Sequence, residues 1–215
     1  MSIWEKILYK GHSRYNGEIK VSENSGVRRL IAGANTQSQS LNSDGKTGHR
    51  YWDNMVPDNI HLGADSRVLI LGLGGGTTAK IITNRFGSLA IDGVDIDPLM
   101  VELGKRYFEM NQPNLKIHIA DADTFLDETR YKYDLICVDV FVAGEVPKKI
   151  ETKEFFNKVK RVLSKEGVCT INKIFSGKNE LEGFEDLVRG VFPIVQSRVV
   201  RGDPRLDNVI VYARS

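Results

Sequence analysis

Residues 67–97 constrain this chain most: an apolar run, a glycine cluster, a helical stretch and a second apolar run that closes on an acid. The run 67–71 is rich in Val, Leu and Ile and stops at Gly72, Gly74, Gly75 and Gly76, the pattern of a buried strand entering a tight turn. Residues 77–86 carry a helical pattern, residues 89–94 form a second strand, and Asp95 stands 23 positions after Gly72. Glycines lack a Cβ and let backbone approach a ligand closely. The helix start behind them offers free N–H groups, and a carboxylate at the next strand tip can accept both hydroxyls of a ribose. The unit predicts a nucleoside-containing cofactor. It does not specify a dinucleotide, because the third glycine of GxGxxG falls at 77, where this chain has Thr77. A Gly-rich turn alone can serve only to reverse the chain; the acid beside it is what argues for binding.

The alternation continues downstream. Pro98 suits the first turn of a helix whose apolar positions are Leu99, Val101, Leu103, Tyr107, Phe108 and Met110. Residues 115–120 read as a strand ending at Asp121, residues 124–130 as a short helix, and residues 134–140 as an apolar strand interrupted by Asp139. A helix follows over 152–163, with Gly167 just beyond its end, then a strand over 168–174 and a helix over 179–191. Residues 194–200 and 208–212 supply two last strands around the turn Gly202-Asp203-Pro204, an edge hairpin. These elements predict an α/β fold: a Rossmann-like, doubly wound, mostly parallel seven-stranded sheet. Ahead of it, residues 4–10, 17–22 and 27–33 alternate apolar and polar, with turns at Tyr15-Asn16-Gly17 and Asn24-Ser25-Gly26. A small antiparallel β-region results, to which 36–41 can add a strand. Residues 51–55 can begin a helix and 57–65 read as a linker, so the expected division is 1–60 and 61–215.

Composition narrows the class. A length of 215 residues buries a substantial core, and 41% hydrophobic with 27% charged residues are ordinary globular values. A net charge of +2 without a basic stripe argues against nucleic acid and membrane partners. No apolar run reaches about 18 residues and the first residues lack a signal-peptide core, so a cytoplasmic protein is the expectation. Cys137 and Cys169 sit in apolar runs and read as buried thiols; the four histidines are scattered, and no metal site is expected. The small β-region must bury a face on its own domain or on a second subunit, which makes a homodimer an expectation.

In a doubly wound sheet, ligands bind outside the carboxyl ends of the strands. Gly72, Asp95, Asp121 and Asp139 each fall at such an end. Asp95 suits ribose, and Asp121 with the backbone of Ala122 suits adenine. Asp139 is not needed for the nucleoside and is the candidate for chemistry. Taken singly, each acid can be a turn or cap residue, Asp97 above all.

The segments VLILGLGGGTT, VDIDP, IADADTFL and YDLICVDVF, in this order and spacing, resemble the spermidine synthase family, a branch of the class I S-adenosylmethionine-dependent transferase fold. HSRYNGEIKV and Gln37-Ser38-Gln39-Ser40 resemble that family's amino-terminal β-region, and Tyr51-Trp52-Asp53 stands where members show Tyr-His-Glu. The resemblance implies cofactor contacts from Gly72, Gly74, Gly76, Asp95, Ile96, Asp121 and Ala122. It implies an active site lined by Gln39 (or Gln37), Tyr51 and Phe141, and Asp139 as the acid that handles the attacking amine. The implied cofactor is S-adenosylmethionine or its decarboxylated form, leaving S-adenosylhomocysteine or methylthioadenosine, with a small-molecule amine as acceptor and a place in polyamine biosynthesis.

Two departures bear on the acceptor. Typical aminopropyltransferases carry an aspartate where this chain has Gly75, and Asp-Ser-x-Asp-Pro where it reads Asp139-Val140-Phe141-Val142-Ala143. Those missing carboxylates help hold a diamine, so putrescine is disfavoured and a larger, less charged acceptor fits better, with the loop 142–150 as its cover. Lys148 and Lys149 read as solubility residues before they read as an anion site. Three functions are consistent with these residues: aminopropyl transfer, methyl transfer to a small molecule, and nucleoside binding without turnover. A hydride-transferring dehydrogenase fits poorly, given Thr77.

Overall fold

The computed structural model describes residues 5–48, 50–175, 177–200 and 207–215. Four strands open the chain: β1 (Lys6–Ser13), β2 (Gly17–Asn24), β3 (Val27–Ala32) and β4 (Asn35–Gln39) form an antiparallel sheet in that order. Alternation puts Ile19, Val21, Leu30 and Ala32 on one face. That face is covered by Met100, Leu103 and Phe108, from helix α2 (Pro98–Tyr107) and its C-terminal cap, so this sheet packs on the domain of its own chain.

The second sheet has seven strands: β5 (Arg67–Leu71), β6 (Ala90–Asp95), β7 (Leu115–Ile119), β8 (Tyr133–Val138), β9 (Leu163–Phe175), β10 (Ile194–Val200) and β11 (Asp207–Arg214). Their order is β10-β11-β9-β8-β5-β6-β7, parallel from β9 to β7, with β11 antiparallel to both β9 and β10. The chain steps outward from β5 in one direction and from β8 in the other. The switch point therefore lies between β5 and β8, where a ligand crevice is expected in such sheets.

Both faces are buried, which is why these strands read as continuous apolar runs. On one face α1 (Thr77–Phe86) packs with Trp52, Met55, Val56, Ile60 and Val101. On the other, α3 (Ala122–Glu128), α4 (Lys153–Val162) and α5 (Lys178–Arg189) supply Leu126, Phe155, Phe156, Phe184 and Val188. The stretch read as a linker thus includes a core position: Ile60 is 9% exposed.

Cys137 and Cys169 are free and buried in β8 and β9, and burial pushes the Cys137 thiol up to about 12. Among the described residues no helix is long and apolar enough to cross a membrane.

Two sequence expectations need correction, and a third falls outside the described residues. β9 begins at Leu163, directly after α4, because Leu163 already pairs with Tyr133 of β8. Gly167 therefore lies inside the strand instead of ending the helix, and a Cβ there would stand 3.0 Å from the Tyr133 carbonyl oxygen. Gly183, a residue expected to interrupt the helix over 179–191, lies inside an unbroken α5, whose exposed side tolerates it. The turn Gly202-Asp203-Pro204 lies outside the described residues, although the two strands it was expected to join do pair.

Candidate active site

The glycine turn takes its shape from its neighbours. Gly72 has φ +87, and a Cβ on it would lie 2.1 Å from the Asp139 carbonyl oxygen, because β5 and β8 end side by side at the switch point. The Asp139 N–H donates to the Leu71 carbonyl at 2.8 Å and locks that adjacency. Asp95, at the end of β6, accepts the Gly74 N–H on Oδ2 (2.6 Å) and the Asp97 N–H on Oδ1 (2.9 Å). Each oxygen keeps a second lone pair. Burial outweighs those two N–H groups and raises the Asp95 carboxyl to about 6.

One cavity opens over this turn. Gly72, Asp95, Ile96, Asp121, Ala122 and Phe141 are among its walls, so five of the seven residues expected to contact the cofactor surround one space. Gly74 and Gly76 do not line it: the Gly74 N–H is taken by Asp95, and Gly76, with φ +85, is the N-cap of α1. Asp121 has two local partners. Its Oδ1 caps α3 by accepting from Asp123 and Thr124, and its Oδ2 meets Lys149 Nζ at 2.6 Å. Burial works to raise this carboxyl, but Lys149 and the cap N–H groups outweigh it and hold it below the usual range. Lys149 is thus an ion-pair partner at the cavity wall, a role its loop composition concealed.

Asp97 is the α2 cap that its position suggested, accepting the Leu99 N–H at 3.0 Å. It does more. At 1% exposure its Oδ2 also accepts from Ser13 and from Asn16 Nδ2 (2.7 Å), while Asn16 Oδ1 accepts the Ala143 N–H at 3.1 Å. The β1–β2 turn thereby ties α2 to the loop after β8. That loop serves both sides: Val142, Pro147, Lys149 and Ile150 wall the cavity over the glycine turn, whereas Gly144 borders a second one. The loop expected to cover the acceptor therefore lies mostly on the other side.

The second cavity is lined by Gln37, Arg50, Tyr51, Phe141, Asn172 and Asn208, among others, and Phe141 is shared by both. Behind its wall is Asp139. Tyr51 donates its hydroxyl to Asp139 Oδ2 (2.9 Å), Asn172 donates Nδ2 to Oδ1 (2.8 Å), and Asn208 donates to Asn172 Oδ1 (2.9 Å). Burial raises the Asp139 carboxyl to about 6, with the Asp95 charge adding to it and the two donors opposing it. Burial, reinforced by Asp139, lifts the Tyr51 phenol well above its ordinary value, so it stays a proton donor.

Of the two glutamines, Gln37 lines the cavity and Gln39 does not. Leu30 pairs with Ser38 but Ile31 pairs with Thr36, so Gln37 is the extra residue of a β-bulge. Bulges re-aim side chains in this way. Gln39 is 6% exposed, its Nε2 donates to the Thr47 carbonyl at 2.8 Å, and its Oε1 has no hydrogen-bond partner among the described residues. Its backbone exchanges two 3.0 Å hydrogen bonds with Thr77 Oγ1, which accounts for a threonine where a dinucleotide turn has glycine. Asn172 and Asn208 escaped the sequence reading. The available signal was a polar pair, Asn172-Lys173, within the buried run of an apolar strand.

Similarity to known proteins can now be set beside this geometry. Residues 56–204 match the profile of the spermine/spermidine synthase domain. The chain belongs to that family. It is 30% identical over 196 residues, 89% of its length, to a probable polyamine aminopropyl transferase of Bifidobacterium longum, of which it covers 44%. A probable spermidine synthase from Corynebacterium glutamicum superposes with a TM-score of 0.77 at 20% identity, over 97% of this chain and 79% of that one. Human methyltransferase-like protein 13, solved in complex with SAH, superposes with a TM-score of 0.62 at 28% identity, over 70% and 72%. The family's fold is thus shared with methyltransferases. The chain spans less than half the length of the first curated relatives it matches.

Proposed function

We propose that this chain transfers an alkyl group from an adenosyl sulfonium compound to an amine, and that the group is aminopropyl, from decarboxylated S-adenosylmethionine. The observation that carries this reading is the setting of Asp139. It is a half-buried carboxylate at the switch point, held by Tyr51 and Asn172 behind the wall of a cavity that shares Phe141 with the cavity of Asp95 and Asp121.

In the proposed step the amine nitrogen attacks the carbon bonded to sulfur. The C–N bond forms as the C–S bond breaks, and its electron pair leaves with a neutral thioether. No acid is needed for departure, so the protein's task is alignment at roughly 3 to 3.5 Å. The acceptor nitrogen must shed a proton, and Asp139 takes it or orients the nitrogen, a contribution worth about 10² to 10⁴ in rate. Asp95 receives the ribose, Ala122 and Asp121 the adenine, and the glycine turn brings backbone up to the nucleoside.

A second reading, methyl transfer from S-adenosylmethionine itself, is favoured by the likeness to human methyltransferase-like protein 13 with its bound SAH. Calorimetric titration with methylthioadenosine and S-adenosylhomocysteine separates the two. Preference for methylthioadenosine is expected for aminopropyl transfer. Preference for the homocysteine compound would replace it with methyl transfer, and affinity for neither would remove the transferase reading.

A further inference from the structure

The second cavity carries an unusual charge for a site that should receive an amine. Among its described lining residues the only charged side chain is Arg50, a cation. Asn35, Gln37, Asn172 and Asn208 contribute neutral amides, and no carboxylate stands among the described lining residues. Asp139 is reached through Tyr51 and Asn172. Arg50 is half-buried, precedes the 3-10 turn Tyr51–Asn54, and forms no ion pair among the described residues. Consecutive residues therefore do two different jobs. Arg50 lines the cavity as its cation, while Tyr51 ties the same backbone to the carboxylate.

We infer that the acceptor is an amine that also carries a carboxylate or similar anion, its nitrogen directed to Asp139 and its anion to Arg50. This rests on the transferase reading and adds the substrate class. A guanidinium fork matches a carboxylate with two parallel hydrogen bonds, and it stays charged when partly desolvated. A simple diamine would bring its second ammonium beside Arg50, with no carboxylate among the described lining residues to receive it. That mismatch excludes wrong partners as effectively as a good contact selects right ones.

The test is calorimetric binding to the full chain saturated with methylthioadenosine, using γ-aminobutyrate and δ-aminovalerate against putrescine and cadaverine, with wild type, Arg50→Gln and Arg50→Lys. Wild type should bind each amino acid about ten-fold or more tightly than the diamine of equal length. Arg50→Gln should erase that preference by weakening the amino acids, Arg50→Lys should keep part of it, and methylthioadenosine affinity should stay level as the sign of an intact fold. Equal or tighter diamine binding by wild type, binding of neither class, or an unchanged preference in Arg50→Gln would overturn the inference. So would an Arg50→Gln variant that loses S-adenosylhomocysteine but not methylthioadenosine, because Arg50 would then serve the donor's own carboxylate. Nucleoside binding with a diamine preference defeats this inference alone; no nucleoside binding defeats the transferase reading with it.

Discussion

The two cavities that meet at Phe141 are assembled in opposite ways. The nucleoside-side cavity is local: Gly72, Asp95 and Asp121 each follow or end a parallel strand, so one rule of strand succession brings them together. The acceptor-side cavity is collected from Gln37 at a bulge in β4, Arg50 and Tyr51 before and in a 3-10 turn, Asn172 in β9 and Asn208 in β11. The first is built from what every turn of a doubly wound sheet offers. The second depends on how a separate β-sheet and an edge hairpin settle against that sheet, so it is where relatives with one cofactor can part in acceptor.

The contrast can be broken most directly at Asp139, which belongs to the acceptor side by contact and to the parallel sheet by position. Asp139→Asn should lower turnover by about 10² to 10⁴ while methylthioadenosine affinity stays within a few-fold; retained turnover would take Asp139 out of the chemistry. Gly72→Ala should damage both cavities together. Its left-handed backbone and the carbonyl 2.1 Å from the new Cβ predict a loss of roughly 2 to 4 kcal/mol in urea unfolding, and unchanged stability would refute the close approach.

Asn172→Ala acts on the acceptor side alone. Only the ionised carboxylate accepts a proton, so wild-type turnover should rise with pH through about 6 and then level off. Losing a donor that holds this carboxyl down moves the rise to higher pH, with turnover at pH 6 falling by very roughly ten-fold; an unmoved profile would show that Asn172 does not tune Asp139. The smallest effect is expected from Lys149→Ala. Its pair with Asp121 is half-exposed, so methylthioadenosine affinity should change by no more than about three-fold, with the acceptor KM untouched. A large change would mean that the nucleoside side also depends on the loop above it.

Legibility follows the same division. The strand, glycine turn, helix and acid of the first unit were readable because each link is a local rule, and the later strand tips repeat it at Asp121 and Asp139. Gln39 was the less apt choice beside Gln37 because alternation gives both the same face, and only the bulge at Gln37 breaks that equality. Asn172 and Asn208 looked like lapses in apolar strands until β11 paired with β9 and placed the two amides in a chain leading to Asp139. Lys149 and Arg50 carried no periodic signal, since loop residues obey none.

Periodicity and turn chemistry by themselves determined the seven-stranded α/β sheet, its small antiparallel companion and the row of carboxylates along one edge, because burial on both faces and left-handed turns leave marks at short range. The tertiary structure alone decided which cation, amides and phenol line the cavity beside that row. Those neighbours are joined by packing between segments up to 158 residues apart, as where Tyr212 reaches the Asn54 carbonyl, and no short-range pattern records such a meeting.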